Sequence, residues 1–332
     1  MRASFVRADF DALAELWCRF MPPRYAVDAA LLRSHTVESP LFDWGASAIE
    51  LEDGRPVGFV VVKKSANPVL FKGPDPDAAH LNSMAFDRPE IAVDLLAYAK
   101  GTLRNRGVCR LVFGQDSRHF FPGCPADCPQ LSSFLMVEGF ECSPVEQFDV
   151  ERDLRGFEPD EASMTPLGGL DTVRRQLQEG GDGDAPHVAW VGQANLRPIA
   201  DFLEREFPGR WHHDVLDKIG TEGHGKVLGL FEQGVCHGFA LTQQADDRLP
   251  IGGAVWCNDL GPDWGSLGPI GVSKAVRGRG LGKALLGAGL WGLSLRGAKR
   301  TIIDWTTLVD FYGAYGFEVS RTYRSLSLRL EP

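Results

Sequence analysis

The sequence predicts an α+β chain made of two similar halves. Three observations carry this expectation. The order helix, strands, helix, strand and a closing Gly-Phe-Glu occurs twice, ending at Glu138-Gly139-Phe140-Glu141 and at Tyr315-Gly316-Phe317-Glu318. A stretch rich in Gly, Pro and acid, EPDEASMTPLGG followed by EGGDGDAP, lies between the two copies and reads as a linker. The second copy alone carries a glycine turn opening into an amphipathic helix, at residues 276–291. The expected organisation is a first module at 1–150, a linker at 151–185 with a short helix around 173–177, and a second module at 186–332.

The elements follow in order. Phe10, Leu13, Leu16 and Trp17 recur at helical spacing, as do Leu196, Ile199, Phe202 and Leu203 in the second half. Each helix is followed by a turn and a β-rich run, at 54–61 and again at 234–241. A longer helix is predicted over 89–106, with Gly107 as its stop and a strand at 109–113. Its counterpart runs over 281–296, stops at Gly297 and precedes a strand at 299–303. A glycine just past the last turn, with Arg before it, is a C-terminal signal in both.

Composition bounds the function. The chain has 332 residues, is 44% hydrophobic and carries a net charge of -9. Nucleic-acid binders are usually basic, so that class is disfavoured. No apolar run reaches the ~20 residues of a membrane span, and the N-terminus has no signal-peptide pattern. The 7 cysteines are scattered and are expected as reduced thiols in a cytoplasmic protein. Cys124 and Cys128 lack a His or Cys pair nearby, so no metal site is expected.

The loop Arg277-Gly278-Arg279-Gly280-Leu281-Gly282-Lys283 carries the chemistry. Unpaired N–H groups at a helix N-terminus, with its dipole, attract anions, and glycines let the backbone come close. The spacing fails G-x-x-x-x-G-K-[ST], because Gly278 and Gly282-Lys283 are one residue too close and Ala284 follows. It also fails G-x-G-x-x-G, whose last position falls on Lys283 or Leu285. It fits R-x-x-G-x-G/A. With that motif the second half resembles the GNAT family of acetyl-CoA-dependent acetyltransferases, in which this loop cradles the CoA pyrophosphate. The order of elements resembles the same fold in both halves.

The resemblance implies a mixed, mostly antiparallel sheet flanked by helices in each module. It implies acetyl-CoA as co-substrate, no metal, and transfer of the acetyl group to a small-molecule or peptide amine in a ternary complex. Ile270 and Val272 would carry the pantetheine arm on their backbone. Tyr312 falls where many members place a tyrosine near the CoA sulfur; a phenol can donate to the leaving thiolate. Asp304 would accept the amine's proton, or cap the next helix, or leave that work to water. Trp305 stands where the family often has Asn, and Leu308 replaces a usual Ala. Tyr315 reads as a packing residue. The segment 207–213 reads as an aromatic, basic binding loop, with Arg210 for an acidic group on the acceptor, Trp211 to stack on it and His212 to titrate. The first half has its own aromatic loop, at 118–123.

Aligned on Arg106-Gly107 and Arg296-Gly297, the first half places Asp87-Arg88-Pro89-Glu90-Ile91-Ala92 opposite the glycine loop, and Leu135 falls opposite Tyr312. The first half therefore reads as a degenerate module without CoA chemistry. The competing class for the whole chain is a non-catalytic acyl-CoA-binding sensor or interaction protein.

Overall fold

A computed structural model describes residues 1–64 and 78–331. In the first half, short β1 (Arg2–Ala3) precedes α1 (Phe10–Phe20) and α2 (Ala29–His35). Asp9 caps α1 by accepting from the Ala12 N–H at 3.1 Å, and the helix lays Leu13, Leu16 and Trp17 into the core. Strands β2 (Ala48–Glu52) and β3 (Arg55–Lys63) form the hairpin expected at 54–61, followed by β4 (Ala78–Phe86), α3 (Pro89–Arg104) and β5 (Arg110–Phe113). Then come β6 (Cys124–Pro125), α4 (Pro129–Val137) and the long β7 (Glu141–Asp153).

The segment expected as linker is packed structure, and the short helix expected around 173–177 is present within it. It forms α5 (Glu161–Met164) and α6 (Leu170–Glu179). Met164, Leu167, Val173 and Leu177 are buried in one cluster with the long helix of the second half. The Gly and Pro residues that read as a linker are turns between these short helices; Gly168 and Gly169 have φ of 93° and 89°.

The second half repeats the order: β8 (His187–Trp190), α7 (Leu196–Glu206), α8 (Arg210–Glu222), β9 (Val227–Glu232), β10 (Val235–Gln244), α9 (Cys257–Leu260), β11 (Trp264–Val272), α10 (Leu281–Leu295), β12 (Arg300–Thr306), α11 (Val309–Gly313) and β13 (Glu318–Arg329). One departure concerns 207–213. The turn ends at Gly209, whose φ is 100°, and Arg210 opens α8, so Arg210, Trp211 and His212 sit on a helix rather than in a loop.

Among the described residues one sheet of 13 strands runs through the molecule in the order β1-β2-β3-β4-β5-β13-β7-β12-β11-β10-β9-β8, with β6 on β13. The last strand of each half crosses over. β7 pairs with β12 of the second half, and β13 pairs with β5 of the first. The two also pair with each other along their length, so the halves share the middle of the sheet. Most neighbours are antiparallel; β4 with β5 and β11 with β12 are parallel.

Candidate active site

Strand β11 pairs with β12 only from Trp264 to Ser266, yet it continues along β10 as far as Val272. Beyond Ser266 the two strands splay apart, and the backbone of residues 268–272 faces a gap instead of a partner strand. The helix that follows begins beside this gap. Gly280 caps α10 at φ 78° with no side-chain bond to the first turn, and Gly278 has φ 81°. These left-handed positions suit glycine. They leave the N–H groups of Leu281, Gly282 and Lys283 at an uncapped helix N-terminus, a geometry that holds anions.

Arg277, Gly278, Arg279, Gly280 and Lys283 are exposed, whereas Leu281 is buried and anchors the turn. Arg279 is committed elsewhere: its guanidinium donates to both oxygens of Glu232, at 2.8 and 2.7 Å. Tyr315 donates from its hydroxyl to the Lys283 carbonyl at 2.8 Å, so it is tied to the helix start as well as packed.

A pocket of about 200 Å³ opens at the splay, lined among others by Ile270, Asp304, Trp305, Tyr312, Arg210 and Trp211. Of the site residues expected from sequence, Ile270, Asp304, Tyr312, Arg210 and Trp211 line this pocket, whereas Val272, His212 and the turn at 277–283 do not. Gln147, Thr306 and Thr307 line the pocket as well. Sequence reasoning missed Gln147 because it belongs to β7, and strand exchange cannot be read from a local pattern.

Asp304 lies within β12 and does not cap α11, whose start has Leu308 as cap with no side-chain bond. Instead, Thr306 Oγ1 accepts from the Leu308 N–H at 2.9 Å. A second carboxyl lies beside it. Asp149 is fully buried on β7; it accepts from the Tyr323 hydroxyl at 2.7 Å and from the Trp305 N–H at 3.2 Å. Burial and then the charge of Asp304 push its carboxyl up to about 7. Tyr312 is buried, packed edge-on against Phe311 and Phe317. Burial and then Asp304 push its phenol up to about 12.

On the acceptor side, Arg210 is held by Asp214 at 2.8 Å and lies 4.2 Å over the Trp305 ring. It is a wall of the pocket, already paired, and not a free cation awaiting an acid. Trp211 packs on Phe207 and Phe239 and presents its remaining surface to the pocket. No group of His, Cys, Asp or Glu side chains among the described residues is arranged to hold a metal. Cys124 and Cys128 are buried, and burial raises both thiols, Cys128 to about 11.

A parallel splay, a glycine-turned helix N-terminus beside it, and a carboxylate and phenol in the gap are what the resemblance to the GNAT fold implies. Comparison with known proteins agrees. Residues 196–317 match the profile of the Acetyltransferase (GNAT) family. The whole chain also superimposes on solved structures. A glucosamine N-acetyltransferase region of a fungal multi-domain GH3 β-N-acetylglucosaminidase aligns at TM-score 0.82 and 18% identity, over 99% of this chain and 38% of that one. A GCN5-related N-acetyltransferase from Sphaerobacter thermophilus aligns at 0.66 and 15%, covering 100% and 96% of the two chains. A tandem GNAT protein from the clavulanic acid biosynthesis pathway aligns at 0.65 and 15%, covering 100% and 99%. This chain therefore spans well under half of the fungal protein and nearly all of the other two. No protein of curated function matches the sequence. Residues 196–317 thus carry the sequence signature of the GNAT family, and the chain has the fold of tandem GNAT proteins. No helix among the described residues is long and apolar enough to cross a membrane.

Proposed function

We propose that the second half transfers an acetyl group from acetyl-CoA to a primary amine by direct attack in a ternary complex. The observation that carries this is the open splay between β11 and β12, with an uncapped helix N-terminus at one end and Asp304 and Tyr312 in the gap. The residues present fit CoA. The amides of residues 278–283 would hold its pyrophosphate, with Arg277 and Lys283 adding charge, and the unpaired backbone at Ile270 and Val272 would take the pantetheine arm. An open gap favours turnover over a passive sensor.

The roles follow from balance. The acceptor ammonium loses one proton toward Asp304, and its nitrogen attacks the thioester carbon. The C–N bond forms, the C–S bond breaks, and the sulfur needs a proton. Tyr312 supplies it while taking the second proton of the attacking nitrogen. A phenol raised to about 12 resists becoming a free phenolate, so it suits this relay. The pocket combines two indole walls, Trp211 and Trp305, with polar Asp304 and Gln147. Flat apolar walls beside a few polar groups suit a ring with a polar edge, so an amino sugar such as glucosamine heads the acceptors to screen, ahead of polyamines and peptide N-termini. The same reading places the protein in the cytoplasm, where the 7 unpaired cysteines remain thiols.

Calorimetric titration with acetyl-CoA and an acceptor screen that follows CoA release test the reading. Tyr312→Phe is expected to lower kcat by about 100-fold with CoA affinity unchanged. Unchanged turnover would remove Tyr312 from the mechanism, and absent CoA affinity in the wild type would overturn the function.

A further inference from the structure

The first half is blank as a CoA site, but it reaches the second half's pocket wall. The turn after β5, residues 114–123, is held from several sides. Gly114 donates its N–H to Leu81 O at 2.9 Å and Gln115 to Phe121 O at 3.1 Å. Fully buried Lys63 donates to the Asp116 carboxylate at 2.7 Å and to the carbonyls of Ser117 and Arg118 at 3.2 and 2.9 Å. From the second half, Asp214 on α8 accepts from Ser117 Oγ at 2.6 Å, and Asp217 pairs with Arg118 at 3.0 Å. What this clamped turn presents to β12 is His119.

The His119 ring lies edge-on to Trp305, centroids 5.2 Å apart. Its Nδ1 is 3.0 Å from the Asp116 carbonyl. A carbonyl only accepts, so Nδ1 carries a hydrogen. Its Nε2 is buried, has no hydrogen-bond partner, and lies 3.3 Å from Asp304 Oδ2, with the two side chains 3% and 14% exposed. With Nδ1 already protonated, a lone pair on Nε2 facing a carboxylate oxygen is repulsive. One added proton turns the contact into an attractive pair. The glycines at 252 and 253 approach Asp304 closely, since a Cβ on either would collide with it. Asp304 is thereby confined where it meets His119.

We propose that the first half supplies His119 as the positioning partner of Asp304, so that the acceptor-side base is a histidine–aspartate pair built across the two halves. This rests on the acetyl-transfer reading above. In the step itself, an N–H bond of the acceptor ammonium breaks and its proton passes to Asp304 and on to His119 Nε2. The imidazolium keeps its Nδ1–H on the Asp116 carbonyl, and the proton leaves to solvent after turnover. The pair takes up the proton as one unit. The groups facing it are Asp149 on β7 and Tyr312 on α11 at Asp304, and His35 on α2 and Asp116 at His119.

Two measurements on the full chain test this. Long-range proton–nitrogen histidine spectra should show His119 as the Nδ1–H form, with its titration moved at least tenfold toward acid in Asp304→Asn; an unmoved titration overturns the pair. In kinetics, His119→Gln should lower kcat by about 100-fold at unchanged KM for acetyl-CoA. It should also move the acid limb of kcat/KM for the acceptor toward the carboxylate range. A uniform drop at every pH would mean a merely structural role and would overturn the proposal, as would unchanged turnover. Wild-type protein without CoA affinity strikes the acetyltransferase reading and this step with it. Intact affinity and turnover with an unaffected His119→Gln strikes the pair alone.

Discussion

At the end of β5 the first half has Gly114, Gln115 and Asp116; at the same register of β12 the second half has Asp304, Trp305 and Thr306. The backbones agree so closely that Gln115 and Trp305, neither a glycine, both take positive φ, 65° and 51°. The side chains do not agree. The Trp305 backbone N–H donates to buried Asp149, while the Gln115 backbone N–H goes to Phe121 O and only its side-chain Nε2 donates to Ser325 Oγ at 3.1 Å; Ser325 stands at the register of Asp149 on the exchanged strand. The carboxyl pair of one half is thus glycine and serine in the other. The gap differs too. Phe86 stands at the register of Val272, and its ring meets Phe134 on α4 at 5.2 Å and Phe20 on α1 at 4.5 Å. Leu135, fully buried, fills the place of Tyr312. The duplication preserved the frame, and a few side chains decide which gap stays open and which is packed with rings.

The largest expected effect comes from making the second half resemble the first at the glycine turn. Gly280→Asp puts a carboxylate on the proposed anion site, where the first half has Asp87 and Glu90 near the start of α3. It also places a Cβ at φ 78°, 3.1 Å from Pro166, a strain of about 1–2 kcal/mol that leaves the fold intact. CoA affinity should fall on the order of 1000-fold, because the site changes from attractive to repulsive. Calorimetry reads it. Unchanged affinity would break the contrast between the halves at its main point.

Much of this was legible in the chain. The repeat, the α+β class and the glycine turn follow from local spacing, because capping, periodicity and left-handed glycines are local physics. Tyr312 and Asp304 were reachable through the family resemblance and Trp211 through the aromatic segment 207–213, and all three line one pocket. His119, Gln147 and Asp149 were not. The first comes from a turn 185 residues before Asp304 in the numbering, and the other two arrive on β7, whose exchange into the second half is a choice between nearly equivalent strand partners. The buried hydrophobic positions of α5 and α6 were hidden by their glycine- and acid-rich setting.

Asp149 sharpens the comparison through pH. Its carboxyl is pushed up to about 7 from an ordinary 3.8, so the folded chain holds the proton more tightly than the unfolded one. That contribution is complete below about pH 4 and is lost as pH rises through 7. Asp149→Asn, neutral like Ser325 in the other half, removes the titration. Wild-type stability should therefore fall relative to the variant by roughly 2–4 kcal/mol between pH 4 and pH 7. Denaturant unfolding across that range measures it. Parallel curves for the two proteins would mean that Asp149 stays ionised beside Asp304 and that the two sites differ less than their side chains imply.

The smallest effect is expected at Arg279, although its place in the glycine turn makes it look like a phosphate ligand. Both halves contain this pair. Arg279 binds Glu232 at the end of β9, and Arg88, which caps α3, binds Glu52 at the end of β2. Each glutamate precedes the same hairpin, with φ of 51° and 79° at Asp53 and Gly54 against 52° and 73° at Gln233 and Gly234. A contact present in the half that lacks the glycine turn belongs to the duplicated frame. Arg279→Ala should therefore leave stability nearly unchanged, as loss of an exposed pair does, and weaken CoA only a few-fold. Arg277→Ala, whose guanidinium is exposed beside the same turn, should weaken it more. If Arg279→Ala instead lowers CoA affinity as far as Gly280→Asp does, then Arg279 leaves Glu232 for the phosphate on binding. The two arginine pairs would then share a position and not a role.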